Sequence, residues 1–248
     1  MKTLSYQLYS SRKFPPMADT LAMLAGIGYA QVEGFEAIYE DPAALRAAMD
    51  ANGLTMPSGH FGLEDLEQNI DGAMTTARIL GMETIYCPYL KPQDRPSDAA
   101  GYAAIGARLR AAGDKVRDAG FKFGWHNHDF EFVALADGSI PMTILFDAAP
   151  DMEWEADLAW VIKGGADPLA WINDYASRIS AVHIKDIAAE GECVDEDGWA
   201  DVGHGTVDWA ALYAACQNTD VRYYIMEHDN PSDDRRFAER SFAAVQAI

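Results

Sequence analysis

Cysteine is scarce in this sequence, which has three among 248 residues, at Cys87, Cys193 and Cys216. Because the number is odd and no Cys-x-x-Cys pair occurs, we interpret them as free structural thiols of a reduced, cytoplasmic protein. The first residues, MKTLSYQLYSSRKF, lack the long apolar segment of a signal peptide. No apolar run reaches the length of a membrane span. We therefore expect no membrane association.

Basic residues are also few, since 19 Lys and Arg stand against 39 Asp and Glu, for a formal net charge of −20. The Lys and Arg residues are scattered, and no short stretch is rich in them. A surface with this balance repels the phosphates of nucleic acids and of anionic membranes. The composition therefore argues against nucleic acid as a partner.

The chain also lacks long linkers and the Gly-x-Gly-x-x-Gly fingerprint of a dinucleotide-binding doubly wound sheet. The turn where that fingerprint would stand reads YSSRKFPP. Instead, helix-like stretches that end in glycine alternate with short apolar strands. Strands are expected near 4–8, 29–33, 54–58, 83–87, 121–126, 152–157, 179–183 and 222–227. Helices are expected near 17–27, 42–52, 63–80, 97–119, 141–148, 167–176, 207–218 and 235–246. Eight such units predict an α/β fold, a single-domain (β/α)8 TIM barrel over residues 1–248.

Polar side chains follow the carboxyl ends of the expected strands, where barrel enzymes carry their active sites. They are Gln7, Glu33, His60, His126, His128, Asp157, His183, Lys185 and Glu227. Several carboxylates in one pocket repel each other unless a counter-charge is present. The mixture of Asp, Glu and His favours a divalent cation, for which Mn²⁺, Mg²⁺, Co²⁺, Fe²⁺ and Zn²⁺ are candidates. The alternative is an ion-paired rim without metal.

Seven segments along the chain together resemble a known family. They are YQLYSSR at 6–12, PSGHFGLEDL at 57–66, WHNHDFEF at 125–132, EADLAWVIKGGADPLAWI at 155–172, RISAVHIKD at 178–186, DVGHGTVDW at 201–209 and YYIMEHD at 223–229. In this order they resemble the sugar phosphate isomerases/epimerases of the xylose isomerase-like TIM-barrel superfamily. The resemblance implies one divalent metal, with Mn²⁺ as first choice, held by Glu, Asp, His and Glu of strands five to eight.

Three of the four implied ligands match directly, at Asp157, His183 and Glu227. The fourth is ambiguous, because relatives that read Glu-Asn-His on strand five are matched here by His-Asn-His. Position favours His126, whereas the usual set of three carboxylates and one imidazole favours Glu131. We expect Glu131 to bind the metal and His126 and His128 to face the substrate.

The implied chemistry is proton transfer through an enediolate, which a metal bound to neighbouring oxygens of a hydroxy-ketone stabilises. Glu227 is the candidate base, and Glu131, His126 or His128 is the candidate acid. His60 and Lys185 are candidate polarising groups, although Lys185 could instead form an ion pair. The candidate substrate-binding residues are Gln7, Glu33 and Asn127.

An isomerase or epimerase of a sugar or keto-sugar is the leading hypothesis for the function. A lyase or dehydratase acting on a 3-keto sugar, keto-glycoside or inosose is the second. A sugar-binding subunit without activity is the third. Relatives that repair DNA share the fold, but the charge of −20 argues against that role. A homo-oligomer is possible, since relatives often form dimers or tetramers.

The expected carbohydrate substrate carries no phosphate. A phosphate site needs a glycine-rich helix N-terminus or paired basic side chains. The connection after strand seven, 187–206, has six carboxylates and no Lys or Arg, and three aspartates precede Arg235 and Arg236 after strand eight.

The connection at 187–206 is long enough to be a lid or a solvated loop. Within it, His204 stands where relatives often have Glu.

Overall fold

Eight parallel strands close a barrel in the computed structural model, which describes residues 2–248. Each strand pairs with the next along the chain, and the eighth returns to pair with the first. The strands are β1 Ser5–Gln7, β2 Gln31–Gly34, β3 Thr55–His60, β4 Thr84–Cys87, β5 Lys122–His126, β6 Glu153–Asp157, β7 Ile179–Ile184 and β8 Tyr223–Met226. The predicted (β/α)8 barrel is therefore confirmed, with Met1 of the predicted range outside the described residues.

Helices surround the barrel. Within residues 2–248 they are α1 Met17–Ile27, α2 Pro42–Ala51, α3 Leu63–Gln68, α4 Ile70–Leu80, α5 Ala99–Asp118, α6 Pro141–Ala148, α7 Leu158–Lys163, α8 Pro168–Asp174, α9 Trp209–Cys216 and α10 Asp234–Ala247. The single helix predicted over 63–80 is wrong, because Asn69 leaves the helical region (φ −139°, ψ 41°) and separates α3 from α4. The short α7, directly after β6, was also not predicted.

The glycines predicted to end helices have the backbone that this position needs. Gly28 and Gly81 follow α1 and α4 directly with φ of 118° and 83°, and Gly53 and Gly120 are also left-handed. A residue with a Cβ rarely adopts this conformation, so glycine ends the helix at little cost. The repeated order of helix, glycine and apolar strand in the sequence thus corresponds to the βα units of the structure.

The register of the strands sets the height of the polar residues in the barrel. His126 of β5 pairs with Glu155 of β6, and Asp157 of β6 pairs with His183 of β7. Side chains along a strand alternate between the two faces of the sheet, so Glu155 and Asp157 point the same way. The larger hydrophobic core lies between the barrel and the helices, while a small apolar cluster fills part of the barrel interior. That cluster is Tyr86, Ala181, Tyr223 and Ile225.

The long connection after β7 is held by hydrogen bonds. Within it, Asp186–Ile187 and Trp199–Ala200 form a two-stranded antiparallel sheet. The carboxylate of Asp186 accepts backbone N–H groups of Ile187, Gly203, Gly205 and Val207. A Cβ on Gly205 would collide with this carboxylate, so glycine is required there. The segment is an anchored loop.

The helices described over residues 2–248 include none that is both long and apolar enough to cross a bilayer.

Candidate metal centre and substrate cavity

A cavity of about 1140 Å³ opens at the carboxyl ends of the barrel strands. Its polar lining includes His60, His126, His128, Glu227 and Asp229. Its apolar walls include Tyr9, Met17, Phe35, Ile38 and Tyr89. Apolar walls around a few convergent polar groups are typical of small-molecule sites.

Four buried side chains meet at the inner end of this cavity. They are His126, Asp157, His183 and Glu227, which we call the mouth cluster; one ligand atom of each lies within 4.8 Å of those of the other three. All four are at most 5% exposed. They come from β5, β6, β7 and the end of β8, so the barrel closure itself brings them together. The three predicted ligands Asp157, His183 and Glu227 therefore converge, whereas Glu131 is not in the group.

Glu131 lies outside the cluster because its side chain packs against the outer face of β5. The indole Nε1 of Trp125 donates to Glu131 at 3.0 Å, and the backbone N–H of His128 donates at 2.9 Å. Burial raises the pKa of Glu131 to about 8. Trp125 and His126 are neighbours on a strand and point to opposite faces, so contact with Trp125 keeps Glu131 away from the interior. The preference for Glu131 over His126 as the fourth ligand is not supported by this geometry.

Asn127, expected to bind substrate, instead fixes Asp157. Its side-chain oxygen accepts from the backbone N–H of Asp157 at 3.0 Å and from Nε1 of Trp154 at 2.7 Å, and its amide donates to the Asp157 carbonyl at 3.0 Å. The side chain is fully buried. Asp157 also caps α7, because its Oδ1 accepts the N–H of Trp160. The other oxygen, Oδ2, lies 3.0 Å from Nζ of Lys185 and has no further polar partner among residues 2–248.

Gln7 and Glu33, the other expected substrate-binding residues, lie beneath the cavity and are fully buried. Glu33 Oε1 is 2.8 Å from Nε2 of His183, and the Gln7 amide donates to the same oxygen at 2.8 Å. The Ser58 hydroxyl donates to the other oxygen of Glu33. Nδ1 of His183 is 2.8 Å from Glu227. Glu33 thus orients the imidazole of His183, as carboxylates behind metal-binding histidines do.

Lys185 is 1% exposed and points its ammonium group at carboxylates. Nζ lies 3.0 Å from Asp157, 2.9 Å from Glu227 and 2.8 Å from Asp229. Burial opposes the charge of Lys185, but these carboxylates outweigh it and raise its pKa above the ordinary value. The ion-pair alternative for Lys185 is the one that the structure shows. Three carboxylates thus surround this one ammonium group.

His60 and His128 both line the cavity but differ in charge. Burial opposes the charge of His60, yet Glu33 and Glu155 outweigh it and raise its pKa to about 10. Burial lowers the pKa of His128 to about 3, and its ring packs against Tyr89 with centroids 4.7 Å apart. At neutral pH His60 is therefore an imidazolium and His128 a neutral imidazole that faces the cavity.

The sequence analysis missed Glu155, a fully buried carboxylate in the middle of the site. Its Oε2 lies 2.6 Å from Nε2 of His60, 3.2 Å from Nδ1 of His126 and 3.4 Å from Nε2 of His183. A signal for it existed, because β6 reads EWEAD and Glu155 stands two residues before the predicted ligand Asp157. Alternation along the strand places both on the inner face.

The family of the chain follows from comparison with known proteins. The family model described as xylose isomerase-like TIM barrel matches residues 21–247, so the chain belongs to that family. Among the curated proteins, none matches the chain.

Solved structures show the same fold. A sugar phosphate isomerase/epimerase from Parabacteroides distasonis superposes with a TM-score of 0.84 at 20% identity, over 100% of this chain and 94% of that chain. A probable 3-DHS dehydratase, AsbF, from Bacillus anthracis gives 0.78 at 12% identity, over 99% of each chain. The protein IOLI, described with a bound zinc atom, gives 0.78 at 14% identity, over 99% of this chain and 97% of that chain. At identities of 12% to 20%, these similarities show the fold alone.

Proposed function

We propose that this protein is a divalent-metal-dependent isomerase or epimerase of a sugar or keto-sugar. The observation that carries the proposal is the mouth cluster, four buried ligand-type side chains that converge at the inner end of a cavity. The Parabacteroides neighbour named as a sugar phosphate isomerase/epimerase and the zinc-bound IOLI neighbour support it. A structural ion-paired rim would not need to open into so large a cavity.

The residues present fit a divalent cation. Asp157 Oδ2 and His126 Nδ1 are buried and make no regular hydrogen bond among residues 2–248; Lys185 Nζ lies 3.0 Å from the first atom, and Glu155 Oε2 lies 3.2 Å from the second. Two imidazoles and two carboxylates form a donor set that suits Mn²⁺, Fe²⁺, Co²⁺ and Zn²⁺ better than Mg²⁺. We propose Asp157, His183, Glu227 and His126 as ligands, with Mn²⁺ as the first metal to test. When bound, the cation supplies Lewis-acid stabilisation of negative charge on neighbouring substrate oxygens.

Side chains of the protein can accept and donate the protons that this reaction transfers. Burial opposes the charge of Glu227, but Lys185 and His183 outweigh it and keep its pKa below the ordinary value. Glu227 is therefore a carboxylate that can accept a proton from the carbon beside a substrate carbonyl. His128 faces the same cavity as a neutral imidazole and can relay a proton to the opposite side, taking it up from water at one ring nitrogen and giving it to the substrate from the other. Return to the same carbon gives epimerisation, and return to the adjacent carbon gives isomerisation.

A lyase or dehydratase is the second candidate, favoured by the similarity to the probable dehydratase AsbF. Proton removal by Glu227 would be the same first step, followed by loss of a β-hydroxyl or glycosyl group. The side chains of the mouth cluster serve either outcome, so the products decide between them.

The proposed substrate is a neutral carbohydrate. The charged residues that line the cavity are Arg12, the imidazolium of His60, Glu36, Asp197, Glu227 and Asp229. Two cationic groups among four carboxylates offer a phosphate dianion little compensation, whereas sugar hydroxyls can donate to carboxylates. The cavity volume exceeds what a single sugar ring fills, so a substrate of two linked rings also fits.

The test is proton exchange in D₂O. Protein loaded with Mn²⁺ is incubated with matched ketoses, keto-glycosides and inososes, and the products are read by NMR. We expect deuterium to enter next to the carbonyl of at least one compound, with an epimer, isomer or elimination product. Glu227→Gln should abolish this exchange, and Glu83→Gln, a change far from the mouth, should not. Binding without exchange in the wild type would favour a sugar-binding subunit, and equal exchange by Glu227→Gln would rule out the assigned base.

A further inference from the structure

The exposed aromatic side chains of this protein lie at the cavity. Among residues 2–248, seven large hydrophobic side chains are exposed, and the two aromatic ones are Tyr9 and Tyr89. They are 37% and 38% exposed, and both line the cavity. Apolar surface that stays in water beside a binding cavity indicates a contact with a ligand. The two tyrosines therefore need an occupant that the mouth cluster does not provide.

Tyr9 is fixed by its neighbours. It follows β1 and makes a T-shaped contact with Phe35, with ring centroids 5.3 Å apart. The guanidinium of Arg12 lies 3.8 Å from the centroid of the Tyr9 ring and also donates to the Tyr9 carbonyl at 2.9 Å. A side chain held in this way loses little rotational freedom when a ligand packs against it.

Tyr89 is fixed in a similar manner on another side of the cavity, after β4. Nη2 of Arg95 donates to its hydroxyl at 2.7 Å, and the same guanidinium lies 3.8 Å from the centroid of the Phe130 ring. The Tyr89 ring also makes a T-shaped contact with His128 at 4.7 Å. Tyr9 and Tyr89 thus form two ordered aromatic walls on strands that are three positions apart around the barrel.

The inner and outer parts of the cavity differ in chemistry. The inner end holds polar groups that are at most 7% exposed, among them His60, His126 and Glu227. The outer walls add Met17, Phe35 and Ile38 to the two tyrosines. The volume of about 1140 Å³ exceeds the roughly 300–1,000 Å³ of pockets that hold drug-sized ligands. A sugar that reacts at the mouth cluster therefore leaves the outer, more apolar part unfilled.

The charged groups nearest these walls already have partners. Arg12 packs on Tyr9, and the carboxylate of Glu36 accepts the backbone N–H of Gly62 at 2.6 Å. A second sugar ring would bring several hydroxyl groups against mainly apolar side chains, where they would lose hydrogen bonds to water. An aromatic ring has no such cost and packs well edge to face or offset against other aromatic rings.

We propose that Tyr9, Phe35 and Tyr89 form an outer subsite for the aglycone of a glycoside, and that this aglycone is a flat, largely apolar ring of the phenyl type. The inference rests on the proposed function, because it places the reacting sugar at the mouth cluster. It narrows the substrate class to aryl glycosides, with Tyr9 and Tyr89 as specificity-determining residues.

Binding of unreactive glycosides tests the subsite without measuring catalysis. Phenyl and methyl β-glycosides of glucose and of galactose form matched pairs that differ in the aglycone alone. Calorimetry with the full chain measures the dissociation constants, and saturation-transfer NMR identifies the ligand protons that touch the protein. We expect the phenyl member of at least one pair to bind about 10-fold tighter, with the strongest saturation on its aromatic protons.

Four variants assign this preference to the outer walls. Tyr9→Ala and Tyr89→Ala should each reduce it, whereas Tyr9→Phe keeps the ring and should retain it. Tyr213→Ala is the matched control, since Tyr213 is a half-buried tyrosine of α9 with the ammonium group of Lys2 over its ring at 5.1 Å. This variant should bind both members as wild type does. Circular dichroism checks that each variant is folded.

The outcomes separate this inference from the proposed function. Equal binding of the phenyl and methyl members, or binding of neither, overturns the subsite. A preference that Tyr9→Ala and Tyr89→Ala both retain also overturns it. If the two variants instead change the oligomeric mass in size-exclusion chromatography, the walls contact a second copy of the chain, and the proposal is again wrong. A phenyl preference without proton exchange in D₂O upholds the subsite and contradicts the proposed reaction, and exchange without a phenyl preference does the reverse.

Discussion

At the scale of single residues, neighbouring positions in and after β5 point in different directions and have different partners. Trp125 points outward from β5, and Glu131 bonds to it, whereas the next residue, His126, points into the barrel. The side-chain oxygen of Asn127, the following residue, accepts a hydrogen bond from the backbone N–H of Asp157. The segment 125–132 is rich in polar groups because it supplies one ligand-type side chain, one cavity imidazole and two buried hydrogen-bonding residues. Residue type alone did not separate these roles, because the direction of each side chain decides them.

Glu131→Gln tests whether Glu131 is a support or a ligand. An amide replaces one acceptor oxygen by a donor, which would face either the indole of Trp125 or the N–H of His128. We expect the free energy of unfolding to fall by about 1–3 kcal/mol, the cost of an unsatisfied buried bond. The number of bound metal equivalents should not change. Urea unfolding and metal analysis measure the two effects, and loss of an equivalent would restore Glu131 as a ligand.

Asp157→Asn is the complementary change at the mouth cluster. The variant keeps the oxygen that caps α7 but loses the charge beside Lys185. We expect metal affinity to fall 10-fold or more, as a rough analogy with losses around metal ligands. Competition with a chelating dye measures the dissociation constant. An unchanged affinity would show that Asp157 forms only the ion pair with Lys185 and the cap of α7.

At the scale of elements, the loop after β7 shows how a long connection becomes fixed. The carboxylate of Asp186 accepts hydrogen bonds from both ends of the loop. Arg236 ties the loop to the last helix, α10, through ion pairs with Glu196 at 2.8 Å and Asp201 at 2.9 Å. The sequence left open whether this loop was a lid or a solvated coil. Periodicity could not decide, because the bonds that anchor the loop connect residues 35 and 40 positions apart.

The Glu196 bond predicts a pH dependence of stability. Burial raises the pKa of Glu196, but bonds from Ser232 and Arg236 outweigh it and lower the pKa to about 2. A lowered pKa means that the ionised form stabilises the fold at pH values above the ordinary carboxyl value. This contribution is lost as pH falls from about 4.5 towards 2. In urea unfolding, the stability advantage of wild type over Glu196→Gln should therefore be full at pH 6 and shrink below pH 4.5. An advantage that grows on acidification would contradict the account.

At the scale of the whole molecule, barrel closure is what brings distant residues together. Alternating strands and helices, with glycine at the helix ends, were sufficient to predict the barrel, and the strand ends were sufficient to predict that Asp157, His183 and Glu227 meet. Glu155 and the supporting role of Glu33 were not predicted. They lie one layer deeper, where the closeness of side chains depends on strand register and barrel curvature.

Removal of metal should lower the stability of the whole domain. An ion that binds only the folded chain adds about 2.7 kcal/mol at a concentration 100 times its dissociation constant. For a chain of this length that corresponds to roughly 5–11 °C in Tm. We expect EDTA to lower Tm by this order, Mn²⁺ to restore it, and Asp157→Asn to respond less. Calorimetry measures the shift. A Tm that chelation leaves unchanged would mean that the mouth cluster holds no ion under these conditions.

The most direct test of the central claim is the position of the ion itself. Crystals grown with Mn²⁺ would be measured for anomalous scattering at the manganese edge. The account predicts a peak at the mouth cluster, within about 2.5 Å of side-chain donors of Asp157, His183 and Glu227. A map without a peak at the carboxyl ends of β6 to β8, or with manganese bound only to surface carboxylates, would contradict it.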